Sequence, residues 1–345
     1  MYTKEQITDV LSRVYEDSRM VLFGEQLGHE QEPNIMLGRY SEATGGKAPA
    51  VMGIDFGCYG LFLKKIGVGS EKWNTYIEQI VDFADKGGIV TASCHFENPY
   101  EKLSEGNNCR GGFGREDMWD EMLTEGTELN RKIKEELIID GTFLRALADR
   151  GVTVLWRPLH EANGGWFWFC ARTSRAYPFM DGSHLIRFWR YMYELFTVEM
   201  KLDNLLWVYS PALETDWDGN TDSMLYYPGD EYVDLCGVDW YTRVKTEIFN
   251  KFHSYDRLMA KKKPCCLAEF GPNDWLRAPT REKQAELFNT LDMVDIMKEM
   301  VKRGLKLTYV LTWCGSCGVY KLGRADEAVK DPFFIDLEKL QRLYK

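Results

Sequence analysis

Glu161 follows His160 directly, and Asn163, Trp166 and Trp168 come shortly after it in Trp156-Arg-Pro-Leu-His-Glu-Ala-Asn-Gly-Gly-Trp-Phe-Trp168. A carboxylic acid walled by indoles and withdrawn from water keeps its proton above the ordinary carboxylate range. Indole faces also stack on the apolar faces of sugar rings, so the pattern suits an acid that protonates a glycosidic oxygen. A second glutamate, Glu269, stands at the end of another apolar run, in Leu267-Ala-Glu-Phe-Gly271. Glycoside hydrolysis needs two carboxyls flanking the bond. One is protonated, and in a retaining enzyme the other is ionised about 5–5.5 Å away.

Something rigid must bring residues so distant in sequence together. Eight apolar, β-branched runs recur: Met20–Gln26, Ala50–Phe56, Ile89–Phe96, Val152–Glu161, Leu205–Pro211, Val233–Tyr241, Pro264–Gly271 and Leu307–Trp313. Each has the length of a strand, and their near-continuous apolar character suits parallel strands covered on both faces. Amphipathic stretches separate most of them: Trp73–Asp85, Arg131–Arg150, Leu185–Met200, Thr246–Ala260 and Arg281–Arg303, with a short helix near Asn220–Tyr226. Thr3–Asp17 and Asp331–Lys345 read as additional terminal helices. Eight-fold strand–helix alternation predicts an α/β fold, one (β/α)8 TIM barrel over residues 1–345. The rival is a doubly wound open sheet. Its glycine-rich phosphate turn is not matched by Gly24-Glu-Gln-Leu-Gly28-His-Glu.

Barrels carry their chemistry at the C-terminal strand ends. Those ends hold Asp55, His95, His160-Glu161, Asp239-Trp-Tyr241, Glu269 and Trp313, with Trp166, Trp168, Trp240 and Trp275 close by. Arg157 shares Glu161's face by alternation and is placed for an ion pair beneath the site. Asp55 is left between lining a distal subsite and capping the next segment. The glycine-bearing stretch Glu97–Gly126 would overhang this face, and the acidic run Glu116–Glu136 reads as a solvated helix face.

The formal net charge of −10 excludes a basic footprint for nucleic acid or anionic membranes, while a neutral polysaccharide is indifferent to it. No stretch approaches a transmembrane span, and the first residues lack a signal-peptide core, so an intracellular protein or one with its leader removed is expected. Nine cysteines at irregular spacings, several inside apolar strands, predict buried free thiols, including the Cys314-Gly-Ser-Cys317 pair.

These motifs resemble glycoside hydrolase family 26, a clan A family best known for β-mannanases. The resemblance extends over essentially the whole catalytic domain. It is carried by Arg157-Pro-Leu-His-Glu161-Ala-Asn163-Gly-Gly-Trp166, His95-Phe-Glu-Asn98-Pro99, Val238-Asp-Trp-Tyr241, Ala268-Glu-Phe-Gly271 and Trp313. It implies Glu161 as general acid and then base, and Glu269 as nucleophile. Tyr241 would hydrogen-bond the nucleophile, His95 and His160 would bind near the central sugar, and Trp313 would floor it. Trp166, Trp168, Asn163 and Asp55 would complete a substrate-binding set for β-mannan or manno-oligosaccharides, in a monomer needing no cofactor and no metal. Relatives acting on mixed-linkage β-glucan or β-1,3-xylan are the nearer alternatives. The further ones are a catalytically silent carbohydrate-binding barrel and a metal-dependent hydrolase built on His95 and His160.

Overall fold

The computed structural model describes residues 1–27, 32–57, 61–101, 108–112, 117–170, 182–213, 223–242, 253–272, 293–314, 317–319 and 325–345. Eight parallel strands pair in chain order: β1 (Val21–Gln26), β2 (Val51–Asp55), β3 (Ile89–Ser93), β4 (Val154–Arg157), β5 (Leu205–Tyr209), β6 (Leu235–Thr242), β7 (Cys265–Pro272) and β8 (Tyr309–Thr312). β1 pairs with β2 from Gly24↔Val51 and with β8 from Leu22↔Tyr309, which closes the barrel. A two-residue strand, β9 (Phe334–Ile335), pairs with Val21 and Leu22 of β1, below the point where β2 begins.

Alternating residues point inward. Leu22, Val51, Ile89, Leu155, Leu206, Leu235, Cys266, Tyr309 and Leu311 fill the interior, in one cluster with Ile7, Val10, Leu11 and Val14 of the helix Lys4–Asp17 and with Leu340. The first expected terminal helix thus floors the barrel; of the second, Asp331–Lys345, only Leu337–Leu343 is helical, because Phe334–Ile335 pairs with β1 instead. The first starts at a capping box between Thr3 and Gln6. The outward-facing residues form a larger cluster under the surrounding helices.

Helices Glu71–Asp85 and Glu128–Ala148 follow N-caps Ser70 and Thr127, and Ser183–Tyr193 runs on into a π-helical turn over Glu194–Glu199. His253–Met259 and Met293–Lys302 are the described parts of two further expected helices, whose earlier portions lie outside the described residues, as does Trp275. Ser223–Tyr226 forms turns in place of the short helix expected there, the residues just before it lying outside the described set. Pro33–Ala43 is a helix that periodicity does not announce: it buries only Pro33, Met36 and Tyr40, and it begins on a proline suited to a first turn. Among the described residues no helix is long and apolar enough to cross a membrane, and none of the eight described cysteines, all buried, is in a disulfide.

The acidic run is corrected at one end. Glu136 is buried on the inner face of Glu128–Ala148, where burial and Asp140 push its carboxyl well above the usual range. It accepts the Glu97 N–H at 3.0 Å, which anchors the start of the segment after β3. Farther along, Asn98 accepts from the N–H groups of Tyr100 and Glu101 and donates to the carbonyls of Arg110 and Gly112, tying the described parts of that segment together.

Glu25 is the most deeply buried acid of β1, at 0% exposure. It sits on the outward face, bonded to the Thr312 hydroxyl and to the Val319 N–H at 3.1 and 3.2 Å. Burial pushes its carboxyl up to about 8, against the pull of those donors. The unfolded chain releases this proton near the ordinary value of about 4.3. Between the two values the folded state holds more protons than the unfolded one, so stability falls as pH rises through that window. Glu25→Gln should remove this share of the slope. Denaturant melts at pH 5 and pH 8.5 should show a smaller drop in the variant than in the parent, by a few kcal/mol at about 1.4 kcal/mol per pH unit of window. Equal drops would show that Glu25 is already ionised at low pH.

Candidate active site

β4 ends at Arg157, earlier than the apolar run suggests, because Pro158 has no N–H to continue the ladder. Leu159 and Glu161 then take left-handed conformations, with φ of 50° and 54°. Such a backbone costs on the order of 1–3 kcal/mol per non-glycine residue and persists only where its surroundings fix it. Here the Glu161 N–H donates to the Ser210 carbonyl at the end of β5 (2.9 Å), and the Gly164 N–H returns to the Glu161 carbonyl (2.7 Å). The acid thus stands on a tethered turn, and its Oε2 accepts the half-buried Trp166 Nε1–H at 2.7 Å. Burial, and then the charges of Glu269 and Asp239, hold its carboxyl well above the usual range.

Glu269 reaches the interior through a bulge. Val238 of β6 pairs with Leu267, but Asp239 pairs with Glu269, so Ala268 is the extra residue. Cys266 and Ala268 face inward, and simple alternation would turn Glu269 out toward the helices. The bulge re-aims it beside Asp239. Arg157 then spans both carboxylates, Nη1 to Asp239 Oδ2 at 2.8 Å and Nη2 to Glu269 Oε1 at 2.6 Å, with the guanidinium 1% exposed. The other Glu269 oxygen accepts the Tyr241 hydroxyl at 2.6 Å. Burial and the Glu269 charge keep that phenol protonated and hence a donor. Ser210 Oγ completes the Asp239 carboxylate at 2.5 Å. The expected ion pair of Arg157 forms beneath the site, with Asp239 and Glu269 as its partners.

One carboxylate oxygen from each of Glu161, Asp239 and Glu269 lies within 4.8 Å of the other two. Among the described residues this is the group of acids best placed to attract a cation, and Arg157 already supplies the balancing charge to two of the three.

The histidines meet beside this group. His95 Nδ1 lies 2.8 Å from Asp55 Oδ2. Burial opposes charge on both, but their pairing prevails: Asp55, which also accepts from Ser93 and the Gly57 N–H, is held down at about 2, and His95 is held above its usual value. Gly57 must be glycine for this approach, since a Cβ there would lie 2.2 Å from the His95 carbonyl oxygen. His95 Nε2 is 3.2 Å from His160 Nε2. Burial and the charges of His95 and Arg157 hold His160 well below its usual value, so His95 donates and His160 accepts. His160 Nδ1 is buried without a partner among the described residues, and its Nε2 lies 3.8 Å from Glu269 Oε1. Phe167 packs edge-on against both imidazoles, at 5.1 and 5.3 Å between ring centres, and Trp313 lies 5.7 Å from His95.

The structure thus brings Glu161, Glu269, His95, His160, Trp166, Tyr241 and Trp313 into one site. Three other expected binding residues stand behind it. Asp55 is 2% exposed and serves His95, so it neither lines a distal subsite nor caps only the next segment. Asn163 spends its amide on the main chain of Ala212, donating at 2.9 Å and accepting at 2.8 Å, which joins the acid's turn to the segment after β5. Trp168 is 1% exposed, and its indole donates to the Phe96 carbonyl at 2.8 Å while its N–H donates to that of Cys109 at 2.9 Å. It stitches two top-face segments together. The sequence names Asp239 only as a strand-end residue without a role, and it does not point to Ser210 or Phe167. Its role is readable in part, since it lies two residues before Tyr241 and so shares its inward face.

A family model for glycosyl hydrolase family 26 matches residues 2–314. The chain belongs to this family. It is similar to mannan endo-1,4-β-mannosidase A and B of Caldalkalibacillus mannanilyticus, 29% identical over 296 residues, covering 86% of this chain and 53% of that protein. It is also similar to a mannan endo-1,4-β-mannosidase of Bacillus subtilis, 30% identical over 278 residues, covering 80% of this chain and 69% of the relative. This family-26 chain thus spans about half the length of the first relative and some two thirds of the second. Its fold matches the solved structure of a Bacillus subtilis mannanase with a TM-score of 0.76 at 23% identity, over 97% of this chain and 92% of the other.

Proposed function

We propose that this chain hydrolyses β-1,4-mannosidic bonds with retention, using Glu161 as acid/base and Glu269 as nucleophile. The observation that carries the mechanism is the unequal treatment of two acids whose oxygens lie within 4.8 Å. Burial and neighbouring charge keep one protonated, while the other holds Arg157 and Tyr241 on its two oxygens. So short an approach suits retention, whose carboxyls stand about 5–5.5 Å apart, better than inversion, which needs about 6.5–9.5 Å.

Glu269 attacks the anomeric carbon while Glu161 passes its proton to the departing oxygen. Glu161, now a carboxylate, takes a proton from water, and the resulting hydroxide equivalent displaces Glu269 and restores both groups. Trp166 and Trp313 would wall the sugar, and His160 would stand behind them against Glu269. Two carboxyls supply all the proton and nucleophile chemistry, so the reaction needs no cofactor. The mannan endo-1,4-β-mannosidase activity of the relatives supports β-mannan as the substrate class. The reading takes residues 1–345 as one catalytic domain, which the packing of the terminal helices into the barrel floor supports, and takes it to act as a monomer.

A 2-deoxy-2-fluoro β-mannosyl inactivator should accumulate on the enzyme, and peptide mapping should find it on Glu269. A label on Asp239 or Glu161 would overturn the assignment. A product profile on defined β-manno-, β-gluco- and β-xylo-oligosaccharides tests the sugar separately, and preferential cleavage of the gluco or xylo series would move the substrate within the family.

A further inference from the structure

Cys170 lies outside every motif that carries the family resemblance, yet it touches the acid's turn from below. It is 1% exposed. Its Sγ donates to the Glu161 carbonyl at 3.4 Å, within range for a sulfur donor. Its own N–H donates to the Phe167 carbonyl at 3.1 Å, closing the turn that follows Trp166. Burial pushes the thiol up to about 12, against the pull of the main-chain N–H groups of Phe167, Gly165 and Trp166. The sulfur therefore stays protonated and is a donor throughout the working pH range. The turn it gathers carries Trp166, whose Nε1–H meets Glu161 Oε2, and Phe167, which packs on both histidines.

Glu161 holds a left-handed backbone at φ 54°. A residue in that conformation depends on the bonds around it, because the backbone gains by relaxing to an ordinary region once they are removed. Three bonds fix this peptide: its N–H to Ser210, its carbonyl to the Gly164 N–H, and its carbonyl to the Cys170 thiol. Only the last also joins the carbonyl to the chain beyond Trp166, and so sets the backbone of the acid and the indole that holds its carboxyl relative to each other.

We infer that Cys170 is a positioning residue for proton donation: its thiol fixes the Glu161 main chain against the Trp166 turn, so that the Glu161 carboxyl meets the departing glycosidic oxygen. This rests on the reading of Glu161 as acid/base. A positioning role affects each step in which Glu161 gives or takes a proton, and kcat/KM reports the first of them. A manno-oligosaccharide, whose leaving alkoxide is a strong base, depends on it, whereas a dinitrophenyl β-mannobioside does not.

The test compares Cys170→Val, which fills the space without a donor, and Cys170→Ser, which keeps one, with the parent enzyme on both substrates. Thermal melts are run alongside. Cys170→Val should lose about tenfold in kcat/KM on mannotetraose, a fraction of the full contribution of an acid. Its kcat/KM on the aryl glycoside should stay within about twofold, and Cys170→Ser should recover most of the loss. If Cys170→Val does not fold, Cys170→Ala measured at reduced temperature should give the same split. Equal losses on both substrates, or a serine variant no better than valine, would reduce Cys170 to a packing residue. Glu161→Ala measured in parallel separates the two failures. If it shows the leaving-group split and the Cys170 variants do not, the positioning role fails alone. If it shows no split, the acid assignment fails first.

Discussion

Replacing Glu161 with alanine should lower turnover of β-mannan by two to four orders of magnitude, roughly the contribution of a placed general acid. First-step reactivity toward a dinitrophenyl β-mannobioside should be nearly intact. The physical basis is the divided labour of the site. Arg157 and Tyr241 hold the two oxygens of Glu269 independently of Glu161, so the nucleophile stays poised when the acid is gone. A good leaving group then departs unaided, the glycosyl-enzyme accumulates because no base activates water, and a burst precedes slow turnover. Azide, which needs no base, should speed that turnover and yield the β-azide. Glu269→Ala should show neither burst nor β-azide, and any azide product should be the α anomer. The pH dependence gives an independent reading. Glu161 is held well above the usual carboxylate range, so kcat/KM on mannan should persist toward neutral pH and fall as this acid loses its proton. The alkaline limb should be absent from the first step of the alanine variant on the activated substrate. Equal loss on both substrates with no effect of azide would remove Glu161 from the acid/base role.

The eight strands, their order and the two glutamates at their ends were legible in the sequence because each rests on local pattern. Strand cores advertise themselves by apolar runs, and a barrel's chemistry concentrates where those runs turn polar. What was not legible depended on departures from pattern. The Ala268 bulge cannot be read from alternation, which would place Glu269 outside; its site assignment came from motif and strand end rather than face. Arg157 was placed correctly by face, but its partners depended on that bulge. Asn163 and Trp168 have the residue types of sugar binders and lie in the same motif, yet the structure uses their polar atoms on Ala212, Phe96 and Cys109 main chain. Residue type shows that a side chain can bond and stack, whereas its target is decided by chain segments far away in sequence. Glu25 and Glu136 share that limit: each is buried by elements whose approach no local window contains.

Arg157→Ala should be the most destabilising single change in the site, by about 3–5 kcal/mol, the usual cost of removing one partner from a buried ion pair. Its guanidinium is the cation that both Asp239 and Glu269 contact, and Glu161 already stands protonated beside them. Without it, two acids remain buried within 4.8 Å of each other, and burial, against the pull of Arg157, already pushes Asp239 well above the usual carboxylate range in the parent. Ser210 and Tyr241 still donate to one oxygen of each, but hydroxyls offer dipoles where the site had a full charge. The folded variant relieves this by retaining protons that the unfolded chain has released. In that window its stability falls with rising pH, so the deficit should widen above about pH 5 and narrow toward acid. Denaturant melts of parent and variant at pH 4.5 and pH 7.5 measure the difference directly. Arg157→Lys sharpens the comparison, because an ammonium restores the charge but not the planar fork that reaches Asp239 and Glu269 at once. It should recover part of the stability and flatten part of the pH dependence. A constant deficit for Arg157→Ala across pH would mean that packing around the guanidinium, rather than its charge, is what the site loses. In that case Tyr241, which donates to the other Glu269 oxygen, would be the contact that positions the nucleophile, and Tyr241→Phe would become the variant in which the nucleophile fails.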